Sequence, residues 1–397
     1  MIKKRDFIFV GLQDWDIEIG SNFKNLAYEI SKENRVLYVN LPENTKTRML
    51  NVFNGLKKKT AEKRPELCQV NENLFVYSPS VLNFSVNWLE KGTVYNKLNR
   101  KNAHALSTGI LEMAEKLQFK NYFLLNDSLM FVGKYLKEML EPELYLYYIR
   151  DYLVKQPYFN KHGSYLEPET IRSADFVIAN SDYLANYARK FNPRSFMVGQ
   201  GCEVESLISE GSKVEPAWSQ KKGMPVVGYV GSLNANRLDI PLLEYITEKR
   251  PDWQFVLVGP EDERFQKSAL HSRPNVAFTG LQPVADLASW IKSFDVCMNP
   301  QLVNENTIGN YPRKIDEYLA LGKPVVATAT LAMEYFKGYV YLSESKEDFI
   351  SHIEIALAED QEILQKSRIA YAKTHSWHNN VEAIYGLIHS HLTPVSS

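Results

Sequence analysis

Short continuous apolar runs alternate with helix-period segments along nearly the whole chain, and this alternation restricts the fold more than any other feature. The runs predict strands at Asp6–Val10, Arg35–Val39, Leu74–Tyr77, Tyr122–Leu125, Leu144–Ile149, Phe176–Ala179 and Phe196–Val198. Helical patterns fall between many of them, at Asn22–Glu33, Leu98–Leu117, Val132–Leu140 and Ser181–Lys190. In the first of these, Phe23, Leu26, Ala27 and Ile30 recur at helical spacing. Strands that are apolar on both faces and separated by helices call for a parallel sheet covered on both sides. The pattern lapses over Gly201–Gly223, a polar stretch without a period that reads as a linker. A second series follows, with strands at Val226–Val230, Trp253–Val258, Val276–Phe278, Val296–Asn299, Pro324–Ala327 and Val340–Leu342. Its helices are Ile240–Lys249, Val284–Ser293, Arg313–Ala320 and Lys346–Leu357, and the tail to about His389 is also helical in pattern. The expected class is α/β: two doubly wound domains, residues 1–205 and 206–375. Ligands of such sheets bind at the carboxyl ends of the strands, here expected to face a cleft between the domains.

Composition removes several function classes. A net charge of −1 over 397 residues argues against a nucleic-acid partner. No apolar run reaches the roughly 18 residues of a membrane span. In the opening MIKKRDFIFV only Phe7–Val10 are continuously apolar, which suits a first strand rather than a signal peptide. Cys68, Cys202 and Cys297 are too few and too scattered for a disulfide framework or a zinc site, so a reducing, cytoplasmic setting is expected.

Three strand-end segments of the second domain carry the candidate chemistry. NPQLVNENTIGNYPRKIDEYLALGKPVVAT, Asn299–Thr328, places Arg313 and Lys314 in the first turn of a helix and Glu317 one turn on. Two cations at a helix start suit an anion, and the acid can reach a ribose; the plain alternative is a solvated i,i+4 pair. After strand Val226–Val230, Gly231 and Ser232 form a turn ahead of Arg237, and Thr279, Gly280 and Leu281 end another strand. Either turn can be an ordinary connection, but all three lie at strand ends of one domain. In the first domain, Gly20 and Ser21, Asp127 and Asp151 are polar groups at strand ends, suited to orienting an acceptor hydroxyl or serving as caps. Asp14-Trp15-Asp16 is read as a poor metal site, and His375 and His378 as surface residues. Thr45–Arg64 mixes seven cations and bulky apolar residues with Glu62, and Trp88–Lys101 forms a second such group. Both suit either a solvated loop or an anionic membrane surface.

With these residues in view, the chain resembles GT-B glycosyltransferases of the family 4 type, in particular bacterial cell-wall and exopolysaccharide transferases including those of teichuronic acid synthesis. The resemblance is carried by GYVGSL, RPDWQFVLVGP, NVAFTG, SFDVCMNP and PRKIDEYLALGKPVVAT within Pro225–Ala358, and more weakly by RDFIFVG and SADFVIANSDYLANYA. It implies two Rossmann-like domains, with a C-terminal helix from about residue 376 to 397 packing back on the first. It implies a UDP- or GDP-sugar as donor co-substrate, no metal or separate cofactor, and a polysaccharide or lipid-linked glycan as acceptor. Carried over by position, Glu317 meets the ribose, Arg313, Lys314 and Arg237 the diphosphate, and Thr279, Gly280 and Leu281 the base. Gly231 and Ser232 join the same donor set. Arg150 and Asp151 occupy the catalytic place where many members carry a histidine. Residue 309 is glycine where the family has its first glutamate, which contacts the sugar; Asn310 is a substitute contact. The expected activity is hexosyl transfer, read as retaining, at the inner face of a membrane reached through Thr45–Arg64. An epimerase or phosphorylase of the same fold, or a non-catalytic nucleotide-sugar-binding relative, are the rival readings. The first strand leads into Gly-Leu-Gln-Asp-Trp rather than G-x-G-x-x-G, which disfavours a dinucleotide enzyme.

Overall fold

The computed structural model describes residues 2–16, 21–43, 65–81, 83–204, 207, 223–305, 307–309 and 311–393. The chain forms two compact units, Met1–Gly199 together with Asn380–Ser397, and Gln200–Asn379.

In the first unit the described strands are β1 (Asp6–Gly11), β2 (Arg35–Val39), β3 (Leu67–Gln69), β4 (Leu74–Tyr77), β5 (Phe123–Asp127), β6 (Leu144–Ile149), β7 (Phe176–Ala179) and β8 (Ser195–Met197). They form one sheet in the order β3-β4-β2-β1-β5-β6-β7-β8, parallel except for β3 against β4. Its helices are α1 (Asn22–Ser31), α2 (Thr93–Lys116), α3 (Met130–Leu140), α4 (Pro157–Ser173) and α5 (Asp182–Arg189). Every residue of β1, β5, β6 and β7 is buried, which is why these strands read as unbroken apolar runs. The strand order reverses between β1 and β5, and there Gly11 pairs with Asp127. A Cβ on Gly11 would lie 2.8 Å from that of Asp127, so the close approach at this switch point requires glycine.

The second unit holds β9 (Val226–Val230), β10 (Gln254–Val258), β11 (Val276–Gly280), β12 (Val296–Asn299), β13 (Val325–Thr328) and β14 (Tyr341–Ser343). The order is β11-β10-β9-β12-β13-β14, wholly parallel, with the reversal between β9 and β12. Helices α6 (Ile240–Lys249), α7 (Glu263–Gln266), α8 (Leu287–Lys292), α9 (Lys314–Ala320), α10 (Lys346–Glu359) and α11 (Glu362–Lys373) complete it. Two apolar clusters cover the faces of this sheet, one around Ile315, Tyr318 and Phe336, the other around Leu243, Trp253 and Phe265. The last helix, α12 (Trp377–Leu392), begins in the second unit and continues in the first. Within the first unit its Tyr385 hydroxyl accepts a 2.7 Å hydrogen bond from Asn34 Nδ2, and its Ile384 and Ile388 are fully buried.

Some elements differ from expectation. Helix α4 carries no clear sequence signal, because Gly163 and Pro168 interrupt its apolar period. Helix α2 starts at Thr93 rather than Leu98. The segment Val284–Ser293 divides into a 3-10 turn, Val284–Asp286, and the short α8.

Candidate functional site

Three glycines line up across the carboxyl ends of adjacent strands in the second unit. Gly231 follows β9 at φ +143°, Gly259 follows β10 at φ +142°, and Gly280 ends β11 at φ +68°. The Gly231 amide donates to Val258 O at 2.9 Å, and the Gly259 amide to Gly280 O at 3.0 Å. A Cβ on Gly259 would stand 2.0 Å from Gly231 O, so only glycine allows these loops to lie so close.

Lys314, the first residue of α9, reaches over this row. A Cβ on Gly231 would lie 2.7 Å from its Nζ, and the ammonium stands 3.9 Å from the centre of the Tyr229 ring while donating to that residue's hydroxyl. Burial pushes the Lys314 ammonium down to about 7, against the Glu317 carboxylate, which favours the charge. A second tyrosine fixes the helix: Tyr318 OH accepts from Val230 N at 2.8 Å, tying α9 to the end of β9.

Arg313 caps α9 rather than lying inside it, and its Nε donates to Glu317 Oε1 at 3.0 Å. Burial opposes the Arg313 charge most strongly, but Glu317 together with Cys202 and Glu203 raises the pKa overall. The two side chains keep 35% and 20% of their surfaces exposed, so an incoming ligand can compete for both. Because α9 has only seven residues, its dipole is small and the side-chain cations carry most of the positive charge. Ser232 and Arg237 are exposed on the loop after β9, where Arg237 O accepts from Leu302 N at 2.8 Å. Thr279 and Leu281 flank Gly280, and Leu281 is 78% exposed. Asn310 lies outside the described residues. Gly231, Ser232, Gly280, Arg313, Lys314 and Glu317 thus border one edge of this sheet: glycine turns, a hydroxyl, two cations and one carboxylate.

Behind α9 sits a network absent from the sequence reading. Asp316 is fully buried; Tyr311 OH donates to its Oδ2 at 2.8 Å, and His375 Nδ1 lies 2.7 Å from its Oδ1. Burial raises the Asp316 carboxyl, while His375 and Tyr311 oppose the shift. The assignment of His375 to the surface is therefore corrected: it is 7% exposed and stacks against Tyr335, whereas His378 is exposed. The 59 residues between Asp316 and His375 hide the pair from any local pattern.

In the first unit, β5 and β6 bring Asp127 and Arg150 into a forked ion pair, with Nε–Oδ1 at 2.7 Å and Nη2–Oδ2 at 2.5 Å. Arg150 Nη2 also reaches Gln13 Oε1 at 3.3 Å, and Ser21 Oγ donates to the same oxygen. Burial raises the Asp127 carboxyl and Arg150 opposes it; the guanidinium itself is held more firmly charged by the carboxylate. Ser21, Asp127 and Arg150 are thus joined through Gln13, which no motif had singled out. Asp151 is half-buried beside them. Gly20 and Thr45–Arg64 fall outside the described residues.

Residues 224–359 match the family described as glycosyl transferases group 1, a span that holds the whole glycine row and α9. The chain is 28% identical over 226 residues to the putative teichuronic acid biosynthesis glycosyltransferase TuaH of Bacillus subtilis. That alignment covers 53% of this chain and about half, 56%, of the relative. The chain has the GT-B fold, and its second unit is similar to the group 1 glycosyl transferases. Two solved structures show the fold at low identity. Anabaena Alr3699/HepE in complex with UDP has a TM-score of 0.63 at 15% identity, covering 97% of this chain and 100% of that one. An α,α-trehalose-phosphate synthase (UDP-forming) from Burkholderia vietnamiensis has a TM-score of 0.69 at 10% identity, covering 100% and 99%. The family match thus lies on the unit with the glycine row.

Proposed function

We propose that this protein is a hexosyltransferase that takes a sugar from a UDP- or GDP-sugar and places it on a hydroxyl of an envelope polysaccharide or lipid-linked glycan. The observation that carries the reading is the glycine row with Lys314 above it and the Arg313–Glu317 pair beside it. The two cations there suit a diphosphate, with glycine turns leaving room for it, and the partly exposed carboxylate one turn along suits ribose hydroxyls. TuaH's description as a glycosyltransferase and the UDP bound in HepE support the same choice.

In this mechanism Lys314 and Arg313 stabilise the negative charge that develops on the leaving diphosphate, a role that needs no metal. Glu317 orients the nucleoside. The Asp127–Arg150 fork, braced by Gln13, and Asp151 line the acceptor side of the first unit, with Asp151 as the group available to take the hydroxyl proton. Gly309 offers no carboxylate to the transferred sugar, so the reading leaves its identity to other contacts.

Isothermal titration with UDP and GDP tests the donor site. One nucleotide should bind the wild type, and Glu317→Ala should weaken it by about tenfold or more, as expected for a lost charged hydrogen bond. Absence of binding by either nucleotide would overturn the reading. A donor screen read by nucleotide release, with the anomeric configuration of the product determined, then separates transfer from epimerisation and retention from inversion. Turnover should survive EDTA; its loss on chelation and return with a divalent cation would refute the metal-free mechanism.

A further inference from the structure

The three most exposed large apolar side chains described in the first unit are Trp88, Val94 and Tyr158, at 72%, 64% and 63%. They come from two segments far apart in sequence. One follows β4 and runs into the first turn of α2; the other follows β6 and opens α4. Both leave the same edge of the sheet, since β4 and β6 run parallel to the strands between them. The fold joins them directly: Asn87 Nδ2 donates to Tyr158 O at 3.0 Å, and Lys161 Nζ donates to Trp88 O at 3.1 Å.

The chemistry of the joined surface is specific. Trp88 Nε1 is satisfied within its own turn by Ser85 O at 2.8 Å, so the ring has no polar demand left and still projects into solvent. Lys91, Lys97, Lys155 and Lys161 are exposed on the same two segments, against a single exposed acid there, Glu90. Lys161 pairs with Glu90 at 2.9 Å, and Lys91 stands 4.2 Å above the Tyr165 ring. Exposed apolar side chains this large, on two joined segments that also carry these cations, are unusual on a soluble surface. A chain with a net charge of −1 has concentrated positive charge here.

The geometry points to an anionic lipid bilayer as the partner of this surface. Trp88, Tyr158 and Val94 enter the headgroup region, where amphipathic aromatic rings are favoured, while the lysines meet the lipid charges. A bilayer satisfies both demands at once, whereas a soluble anion answers only the lysines. The docking edge is also the edge that carries Asp127 and Arg150, so a lipid-linked acceptor held in that bilayer would present its glycan to them. This last point rests on the proposed sugar-transfer reading; the docking surface itself does not.

Vesicle flotation of the full chain tests the inference, with vesicles of phosphatidylcholine alone and of phosphatidylcholine with phosphatidylglycerol. Binding is expected to the anionic vesicles only and to weaken with added salt. Trp88→Ala combined with Tyr158→Ala, and separately Lys91→Glu combined with Lys97→Glu, should each reduce partitioning by about tenfold or more, given the contribution of each lysine near a charged surface. The Trp88→Phe chain should lose the blue shift of tryptophan emission that vesicles induce in the wild type. Undiminished flotation of both double variants, or equal binding to neutral vesicles, would overturn the proposal. So would a dimer in sedimentation that the Trp88→Ala, Tyr158→Ala chain loses, since a second copy would then be the occupant. UDP titration on the same variants keeps the two readings apart. Retained nucleotide binding without flotation refutes only the membrane surface, and flotation without nucleotide binding refutes only the donor site.

Discussion

Lys314 shows how one residue can be both expensive and useful. Its ammonium is drawn from water onto Tyr229 and beside Gly231, and its pKa falls from the usual lysine value to about 7. The sign follows directly: as pH rises through 7 the unliganded residue loses its proton and its attraction for a diphosphate. Nucleotide affinity should therefore decline between pH 6 and 9 in the wild type, and Lys314→Met should bind weakly with a flatter profile; a titration series at four pH values checks this. Because this lysine is neutralised more easily in the folded state, its burial also costs less stability as pH rises from 7 towards 10.5. In the sequence, Lys314 was legible as a cation at a helix start. Its partner was not, because Tyr229 lies inside an apolar strand and strand tyrosines are ordinary core residues. Gln13 escaped notice for a similar reason: an amide beside a first strand signals nothing until Arg150 and Ser21 meet at its oxygen.

At the scale of elements, the strand-end loops behave as one unit stitched by backbone hydrogen bonds. Gly259→Ala drives a Cβ into Gly231 O and should destabilise the second unit by about 3 kcal/mol or more, a steric clash added to left-handed strain. Gly280→Ala has open space around it and should cost only about 1 kcal/mol from its positive φ. Urea unfolding of the two variants separates these values, and equal losses would contradict the stitched arrangement. Strand positions were largely legible because both faces of each sheet are covered, which leaves uninterrupted apolar runs. Helices were legible where one face is apolar, as in α1, and failed where glycine and proline break the period, as in α4. The Asp316–His375 pair could not be read at all, since nothing local relates a residue of α9 to one in the turn between α11 and α12.

For the molecule as a whole, the first unit carries a buried carboxyl that senses acidity. Glu167 on α4 accepts hydrogen bonds from Tyr147 at 3.0 Å and Tyr187 at 2.9 Å, and burial pushes it up to about 7. A carboxyl raised in the folded state adds stability that is complete below its unfolded value and is lost as pH climbs through 7. Between pH 4.5 and 7 this residue alone should remove up to about 3 kcal/mol. Glu167→Gln should abolish that part of the slope, measurable as the difference between the two unfolding curves across pH. The chain's path has a different consequence. Cys202 N donates to His375 O at 2.8 Å, so the segments entering and leaving the second unit meet side by side at one bridge. Asn380 Nδ2 donates to Val198 O at 2.8 Å, so the first unit's two loose ends also touch. The second unit is thus inserted like a cassette with adjoining ends. It can be cut out between residues 200 and 379 and exchanged for a relative's, leaving a gap that a few residues would close; on the proposed reading, donor choice should move with the transplanted unit.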